Sequence, residues 1–354
     1  MKEKIENYRK IIDKIDSQII KLLNKRAENV LKIAKLKDKE GGIYDPAREY
    51  TILKKLKSYK KGVLCEKDIE TIYNEIFSVS RALQKKEKVV YLGPVASYTH
   101  LAAIKRFGKS MDYVSVNTIK DVFLEVEKGN AEYGCVPIEN STEGSVNYTY
   151  DMFVDFDLQI YSEIFLEIKH NLLSKENNLK NIKYVYAHPQ SFAQCRGWLE
   201  TNLTRAVLKD VPSNSKGAEI AKNLKNSAAI ASNLAAEFYG LNILASSIED
   251  ITDNITRFFV ISNKISNRTG NDKTSIMVSI KDRVGALYSL LKPFAKYKVN
   301  LTNIESRPSK KKAWDYYFFV DFAGHIQDKN VKDALKEVEK YCGSVKILGS
   351  YPKF

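Results

Sequence analysis

The sequence predicts a multidomain protein: an all-α unit of three helices, an α/β unit, and a small α+β unit of ferredoxin-like order. Three observations carry this. Apolar residues in the first 88 positions recur in steps of three and four, with one proline and few strand signals. From Val89 the pattern changes to short apolar runs closed by Gly or Pro, such as VVYLGP, YGCVPIEN and KYVYAHPQ, alternating with amphipathic helices. After a polar stretch, Ser262 to Lys273, the runs KTSIMVSI, NLTNIE, YYFFVDFAG and SVKILGSY read as strands and 285–298 and 328–341 as helices. That order is β-α-β-β-α-β. The predicted boundaries are 1–88, 89–267 and 273–351, and 354 residues suit two or three cores.

In the first unit Ile5, Tyr8, Ile12, Ile15, Ile19 and Leu22 form a heptad seam. The next seam position is Arg26, and an arginine on an apolar stripe is costly unless it snorkels or meets an anion. Lys37 follows by eleven residues, three turns, on nearly the same face. Arg9 precedes Arg26 by seventeen residues, roughly 25 Å along the axis and about 100° around it. One small ligand cannot touch both from one helix, so an Arg9 serving that site comes from an antiparallel second chain. The second helix opens at Asp45-Pro46-Ala47-Arg48-Glu49, where Asp45 fits an N-cap and Pro46 the first helical position. The third carries a stripe at Ile69, Ile72, Ile76, Val79 and Leu83, with Ser80 and Gln84 one turn apart beside it.

Arg9, Arg26, Lys37, Asp45, Arg48, Glu49, Ser80 and Gln84 together resemble the site of the all-helical chorismate mutases, and DxxRE is a specific match. The resemblance implies an intertwined homodimer of three-helix subunits. It also implies a pericyclic rearrangement of chorismate to prephenate, without nucleophile or metal. Arg9 and Arg26 would clamp the carboxylates, Lys37 and Gln84 would donate to the breaking ether oxygen, and Ser80 would contact a carboxylate. Asp45 and Glu49 would anchor the ring hydroxyl, with Arg48 orienting Glu49.

The middle unit places polar loops at strand-to-helix junctions: Ser97-Tyr98-Thr99-His100, Glu139-Asn140-Ser141-Thr142-Glu143-Gly144, His188-Pro189-Gln190-Ser191 and Asp253-Asn254-Ile255-Thr256-Arg257-Phe258. Such junctions cap helices, and they also collect ligands in open α/β folds. No GxGxxG or phosphate loop occurs and no cofactor is expected, and no GxSxG elbow supports a Ser-His-Asp hydrolase. VPIENSxEG and NxTRFxVI resemble prephenate dehydratases, which implies two α/β lobes around a cleft, as in periplasmic binding proteins. The family reaction expels carbon dioxide and the ring hydroxyl from prephenate to give phenylpyruvate. The resemblance assigns hydroxyl departure to Thr256 and implicates Glu139, Asn140, Ser141, Gln194, Glu219 and Arg257 in binding prephenate. Ala187 stands where relatives often carry serine.

In the last unit Gly285-Ala286-Leu287 opens a helix, and Asn300-Leu301 with Glu305-Ser306-Arg307-Pro308 forms the following strand and turn. GAL with NLTxIESRP resembles the ACT domain of phenylalanine-sensitive dehydratases. It implies that these residues hold phenylalanine between subunits of a dimer or tetramer.

Composition excludes other classes. The net charge of +14 divides into +9, −2 and +7 over residues 1–88, 89–270 and 271–354, so the largest segment is nearly neutral. No basic stripe or finger spacing accompanies it, and no nucleic-acid partner is expected. Cys65, Cys135, Cys195 and Cys342 have no CxxC spacing, which reads as reduced thiols rather than a metal site. No apolar run spans a bilayer and MKEKIENYRK is no signal peptide, so the expected compartment is the cytoplasm, with no membrane partner. Two rival readings remain at this point: a dehydratase whose helices are only a dimerisation arm, and a solute receptor coupled to an amino-acid sensor.

Overall fold

The first 88 residues fold as three helices: α1 (Lys2–Leu36), α2 (Pro46–Lys57) and α3 (Glu66–Gln84). The structure, a computed structural model, describes residues 1–36, 42–59, 62–280, 283–308 and 316–353. Lys37 lies outside the described residues. No residue of α1 is buried, and its seam from Ile5 to Leu22 stays between 46 % and 67 % exposed. Asp45 caps α2 by accepting from the Arg48 N–H at 2.9 Å, with Pro46 at the first position, where no N–H is needed. On α3 the buried residues are Phe77, Ser78, Ser80 and Arg81. The predicted stripe is not the buried face, since Ile72, Val79 and Leu83 are 47–49 % exposed. The helix instead turns Ser78 against the α/β unit, where a Cβ on Gly108 would lie 2.4 Å from the Ser78 Cβ.

The α/β unit has two lobes. In chain order the first contains β1 (Lys88–Leu92), α4 (Tyr98–Phe107), β2 (Asp112–Val116), α5 (Ile119–Glu127), β3 (Tyr133–Asn140), β4 (Gly144–Ser145), α6 (Asn147–Asp155) and β5 (Gln159–Glu167). The second contains β6 (Asn171–Ser174), β7 (Tyr184–Ala187), α7 (Pro189–Gln194), α8 (Arg196–Asn202), β8 (Val207–Asp210), α9 (Asn214–Asn223), β9 (Ser227–Ala231), α10 (Asn233–Tyr239) and β10 (Asn242–Ala245). The chain then returns to the first lobe as β11 (Ile255–Ser262). The sheets run β2-β1-β3-β11-β5 and β10-β6-β9-β7-β8. Because β11 inserts antiparallel between β3 and β5, Thr256 lies directly opposite Asn140.

The last unit is β12 (Asp272–Ile280), α11 (Ala286–Lys296), β13 (Leu301–Pro308), β14 (Tyr316–Ala323), α12 (Lys329–Val338) and β15 (Ser344–Pro352). This is the predicted ferredoxin-like order, with an antiparallel sheet β13-β14-β12-β15. One face packs on α11 and α12 through Ile276, Val278, Leu290, Phe294 and Val320. The other buries Met277, Phe319, Leu348 and Tyr351 with Phe123, Phe153 and Phe259 of the first lobe. Alternation along a strand puts successive side chains on these two faces. At Gly349 the backbone approaches Ile160 so closely that a Cβ would lie 2.2 Å from the Ile160 carbonyl oxygen. No described helix is long and apolar enough to cross a membrane.

Candidate active sites

Six of the eight predicted mutase residues, Arg26, Asp45, Arg48, Glu49, Ser80 and Gln84, line one cavity of about 200 Å³ between the three helices. The Arg26 guanidinium donates to the Ser80 hydroxyl and lies 5.7 Å from the Phe77 ring centroid. Ser80 Oγ donates back to the Ile76 carbonyl at 2.6 Å, and Gln84 Nε2 to the Ser80 carbonyl at 3.1 Å. Arg9 is absent from this wall; its side chain is 69 % exposed and pairs with Glu6 at 3.6 Å.

The residue holding Glu49 is not the predicted one. Arg81, only 3 % exposed, is ion-paired to Glu49. Arg48 is exposed on the cavity rim and uses its backbone N–H on Asp45. The reason is helical geometry: Arg81 follows Ser80 on α3 and faces across to α2, whereas Arg48 precedes Glu49 and points about 100° away from it. Burial pushes the Glu49 carboxyl above its ordinary pKa, against the opposing pull of Arg81 and Arg106.

The second site is a cleft of about 340 Å³ between the lobes of the α/β unit. Its wall includes Ser97, Tyr98 and Thr99 at the start of α4 and Ser213, Asn214 and Ser215 at the start of α9. Asn140, His170, Gln194, Asn254 and Thr256 also line it. No lysine, arginine, aspartate or glutamate is among its described lining residues.

Here a chain of hydrogen bonds has only one possible polarity. Asn140 Oδ1 accepts from the backbone N–H groups of Thr142 and Glu143 at 3.0 and 3.1 Å. Those groups can only donate, so Asn140 Nδ2 faces the other way, 2.8 Å from both Thr256 Oγ1 and Asn254 Oδ1. Asn254 Nδ2 then donates to Gln194 Oε1 at 3.1 Å. His170, 2.8 Å from that same oxygen, must offer Nε2–H. Its Nδ1 lies 2.8 Å from the Tyr98 hydroxyl. Burial holds the His170 imidazole below its usual pKa. Thr256 Oγ1 accepts from Asn140, which leaves its own hydrogen for a ligand in the cleft.

The other predicted prephenate residues do not line the cleft. Glu139 lies on β3 beside Asn140 and so points to the opposite face of the sheet. Ser141 donates to the Asp253 carbonyl at 3.1 Å and accepts from the Ile255 N–H at 2.9 Å, tying β3 to the turn before β11. Glu219 is exposed on α9 and pairs with Lys216 at 2.9 Å.

Arg257 is not among the residues lining the cleft. As the neighbour of Thr256 on β11 it points to the opposite face, where it is 5 % exposed. Its Nε and Nη2 contact Glu163 Oε2 at 2.9 and 2.8 Å, and its Nη1 contacts Asp321 Oδ2 at 2.7 Å. Its Nη2 also donates to Tyr351 Oη at 3.1 Å. Lys273 meets Glu163 at 2.8 Å. Burial works against the guanidinium charge, but Tyr351, Asp321 and Glu163 outweigh it and hold the group above its ordinary pKa. Arg257 therefore joins the α/β and C-terminal units.

His170, Tyr98 and Asn254 were not predicted as site residues, and neither was Arg81. A lone histidine before a strand carries no signal in one sequence, and only the fold brings it to Gln194.

The predicted effector residues fall on two faces. Gly285, with φ of 76°, precedes α11 in a left-handed conformation that favours glycine. Ala286 and Leu287 open that helix, and the Asn300 carbonyl accepts from the Ala323 N–H at 2.9 Å. On edge strand β13, Glu305 accepts from Ser145 Oγ at 2.9 Å and Arg307 pairs with Asp151 at 3.5 Å, both toward the first lobe. Leu301 pairs in register with Phe322 on the helix-facing side, while Ser306 and Pro308 are exposed.

Comparison with known proteins finds three families along the chain. Residues 8–85 match the chorismate mutase type II family, 89–266 the prephenate dehydratase family, and 274–340 the ACT domain. The bifunctional chorismate mutase/prephenate dehydratase of Aquifex aeolicus is 48 % identical over 356 residues, covering 99 % of this chain and 98 % of that one. The Pseudomonas aeruginosa protein of the same name is 40 % identical over 358 residues, with the same coverage. Among solved structures, the prephenate dehydratase of Arthrobacter aurescens in complex with L-Phe is 33 % identical with a TM-score of 0.69, covering 75 % of this chain and 90 % of that one. With three matched domains and full-length relatives, the chain belongs to the bifunctional chorismate mutase/prephenate dehydratase family.

Proposed function

We propose that this chain rearranges chorismate to prephenate in the helical cavity, converts prephenate to phenylpyruvate in the interlobe cleft, and is restrained by phenylalanine at its ACT domain. The observation that carries the first step is the convergence of Arg26, Asp45, Arg48, Glu49, Ser80 and Gln84 on one cavity. A dimerisation arm has no use for that convergence. In the rearrangement one C–O bond breaks and one C–C bond forms within the same molecule. The protein must hold the compact conformer and meet negative charge growing on the ether oxygen. Arg26 suits a substrate carboxylate, since a guanidinium binds it bidentately. Gln84 Nε2 supplies a neutral donor for the ether oxygen, with Lys37 in the same role. Asp45 and Glu49 accept from the ring hydroxyl.

The exposed seam of α1 and the outward position of Arg9 support a homodimer in which Arg9 completes the partner's cavity. Arg26→Ala and Arg9→Ala are each expected to lose mutase activity by a factor of about 10³ or more, as for a lost charge-assisted clamp. After the two variant chains are mixed and exchanged, mixed dimers carry one intact site, and chorismate consumption should return. Absence of recovery in a verified mixed dimer would overturn the shared site.

In the cleft, the starts of α4 and α9 present backbone N–H groups and hydroxyls to an anion, which suits the carboxylates of prephenate without a basic side chain. The C–CO₂ electron pair enters the ring, the ring hydroxyl leaves, and one proton must be added to release it as water. Thr256 is the donor to that oxygen, oriented by Asn140. A cytoplasmic location fits these substrates.

Phenylalanine control has a short path to this donor. Glu305 of β13 holds Ser145, and β4 pairs Gly144 and Ser145 with Asn140 and Glu139. An effector that favours one placement of β13 therefore biases the loop whose N–H groups orient Asn140. Added phenylalanine should lower the dehydratase rate and change the assembly's compactness; identical rate and X-ray scattering curves with and without it would sink this reading.

A further inference from the structure

The mutase cavity contains a charge whose placement depends on the dehydratase. Glu49 is 9 % exposed and belongs to the cavity wall. A carboxylate so far from water needs a cation or donors to remain ionised. Arg81, 3 % exposed, is the cation in direct contact with it, while Arg106 of α4 and Arg26 of α1 act on the same carboxylate from farther away and the Asp45 carboxylate opposes them. Arg81 Nη1 holds Glu49, while its Nη2 donates to the Phe107 carbonyl at 2.7 Å. Phe107 is the last residue of α4, in the dehydratase lobe.

The guanidinium is boxed in from the same side. It lies 5.3 Å from the ring centroid of Tyr44 and 6.0 Å from that of Phe107. Tyr44 immediately precedes the Asp45 cap, yet it is fully buried in the core of the first dehydratase lobe, among Phe107, Tyr133 and Tyr161. Its backbone carbonyl accepts from the Tyr161 hydroxyl at 2.8 Å. Both ends of the Glu49 anchor are thus set by dehydratase atoms: Arg81 through the α4 carbonyl, and the start of α2 through Tyr44.

We propose that Arg81 is a positioning residue of the mutase reaction, braced by the dehydratase lobe, that keeps the Glu49 carboxylate ionised and aimed at the substrate's ring hydroxyl. Arg81 does not touch the substrate in this scheme; it acts through Glu49. A helical unit separated from the dehydratase would lose the carbonyl that orients Arg81 and the pocket that holds Tyr44. The inference rests on the mutase reading given above.

The test uses the full chain and measures both activities across pH. In Arg81→Met the contacting charge is gone and only the more distant Arg106 and Arg26 remain, so the Glu49 pKa rises. The acid limb of the mutase kcat/KM profile should then move up by roughly one to three pH units. At neutral pH kcat/KM should fall by about 10²-fold, as for a lost charged hydrogen bond in a dry site. Arg81→Lys should recover part of the activity and bring the limb back toward wild type. The prephenate-to-phenylpyruvate rate serves as the control for folding and should stay within about twofold of wild type.

Should Arg81→Met lose both activities, Arg81→Gln decides, because it keeps a polar donor on the same stretch of α3 while removing the charge. Its acid limb should also move up. An unmoved limb in a variant that retains dehydratase activity overturns the proposal, as does an Arg81→Lys chain no better than the uncharged variants. A wild-type chain that consumes no chorismate would instead sink the mutase reading itself.

Discussion

Thr256→Val should abolish phenylpyruvate formation while chorismate continues to be consumed, so that prephenate accumulates. Valine keeps the shape of the side chain and removes only the hydroxyl. In the cleft Thr256 Oγ1 takes a hydrogen bond from Asn140 at 2.8 Å, and in the proposed reaction its own hydrogen goes to the departing hydroxyl. Loss of an oriented proton donor costs typically about 10² to 10⁴ in rate. The described lining contains no carboxylic acid or lysine. The mutase cavity shares no lining residue with the cleft, so its rate should remain within about twofold. Thr256→Ser should retain measurable dehydratase activity. Simultaneous loss of both reactions in a folded Thr256→Val chain would contradict two separate sites.

Arg257→Met should produce a different failure, in stability. Removing the arginine leaves Glu163 and Asp321 buried, with Lys273 still on Glu163 and Ser275 on Asp321 at 2.6 Å. Breaking one partner out of a buried ionic group costs about 3–5 kcal/mol, because the remaining charges stay dehydrated. The loss falls at the junction of the α/β and C-terminal units, so denaturant unfolding should show an earlier transition there. Under conditions where the variant is folded, its KM for prephenate should change little. A large KM increase with unchanged stability would restore Arg257 to the substrate site.

The contrast between these neighbours shows where sequence reading reaches its limit. TRF marks both residues as important, and strand alternation separates their side chains onto opposite faces. Which face meets substrate depends on the strands beside β11, and β3 and β5 lie far from it in sequence. The same limit explains Glu139 beside Asn140. It also explains α3, whose apolar stripe is visible in the sequence while its buried face is set by contact with α4.

Local pattern was otherwise well preserved. The Asp45 cap, the Pro46 start and the βαββαβ order follow from short-range spacing, and each has its counterpart in the fold. The corrections involve long-range partners. Arg81 took the place expected for Arg48 because helices α2 and α3 face each other across the cavity. His170 and Asn254 meet at Gln194 Oε1 only through the fold, since the three residues lie far apart in sequence.

Multidomain organisation and helix positions were determined by the sequence alone, because periodicity and capping are local properties of the chain, and the types of chemistry were indicated there through motifs that resemble known families. Tertiary structure alone decided which charges face substrate and which join domains. That choice depends on which low-dielectric surface each side chain is packed against, and residues distant in sequence supply those surfaces. Arg26 and Arg257 are both arginines in apolar surroundings: one opens on a cavity with room for an anion, and the other already has its anions in Glu163 and Asp321.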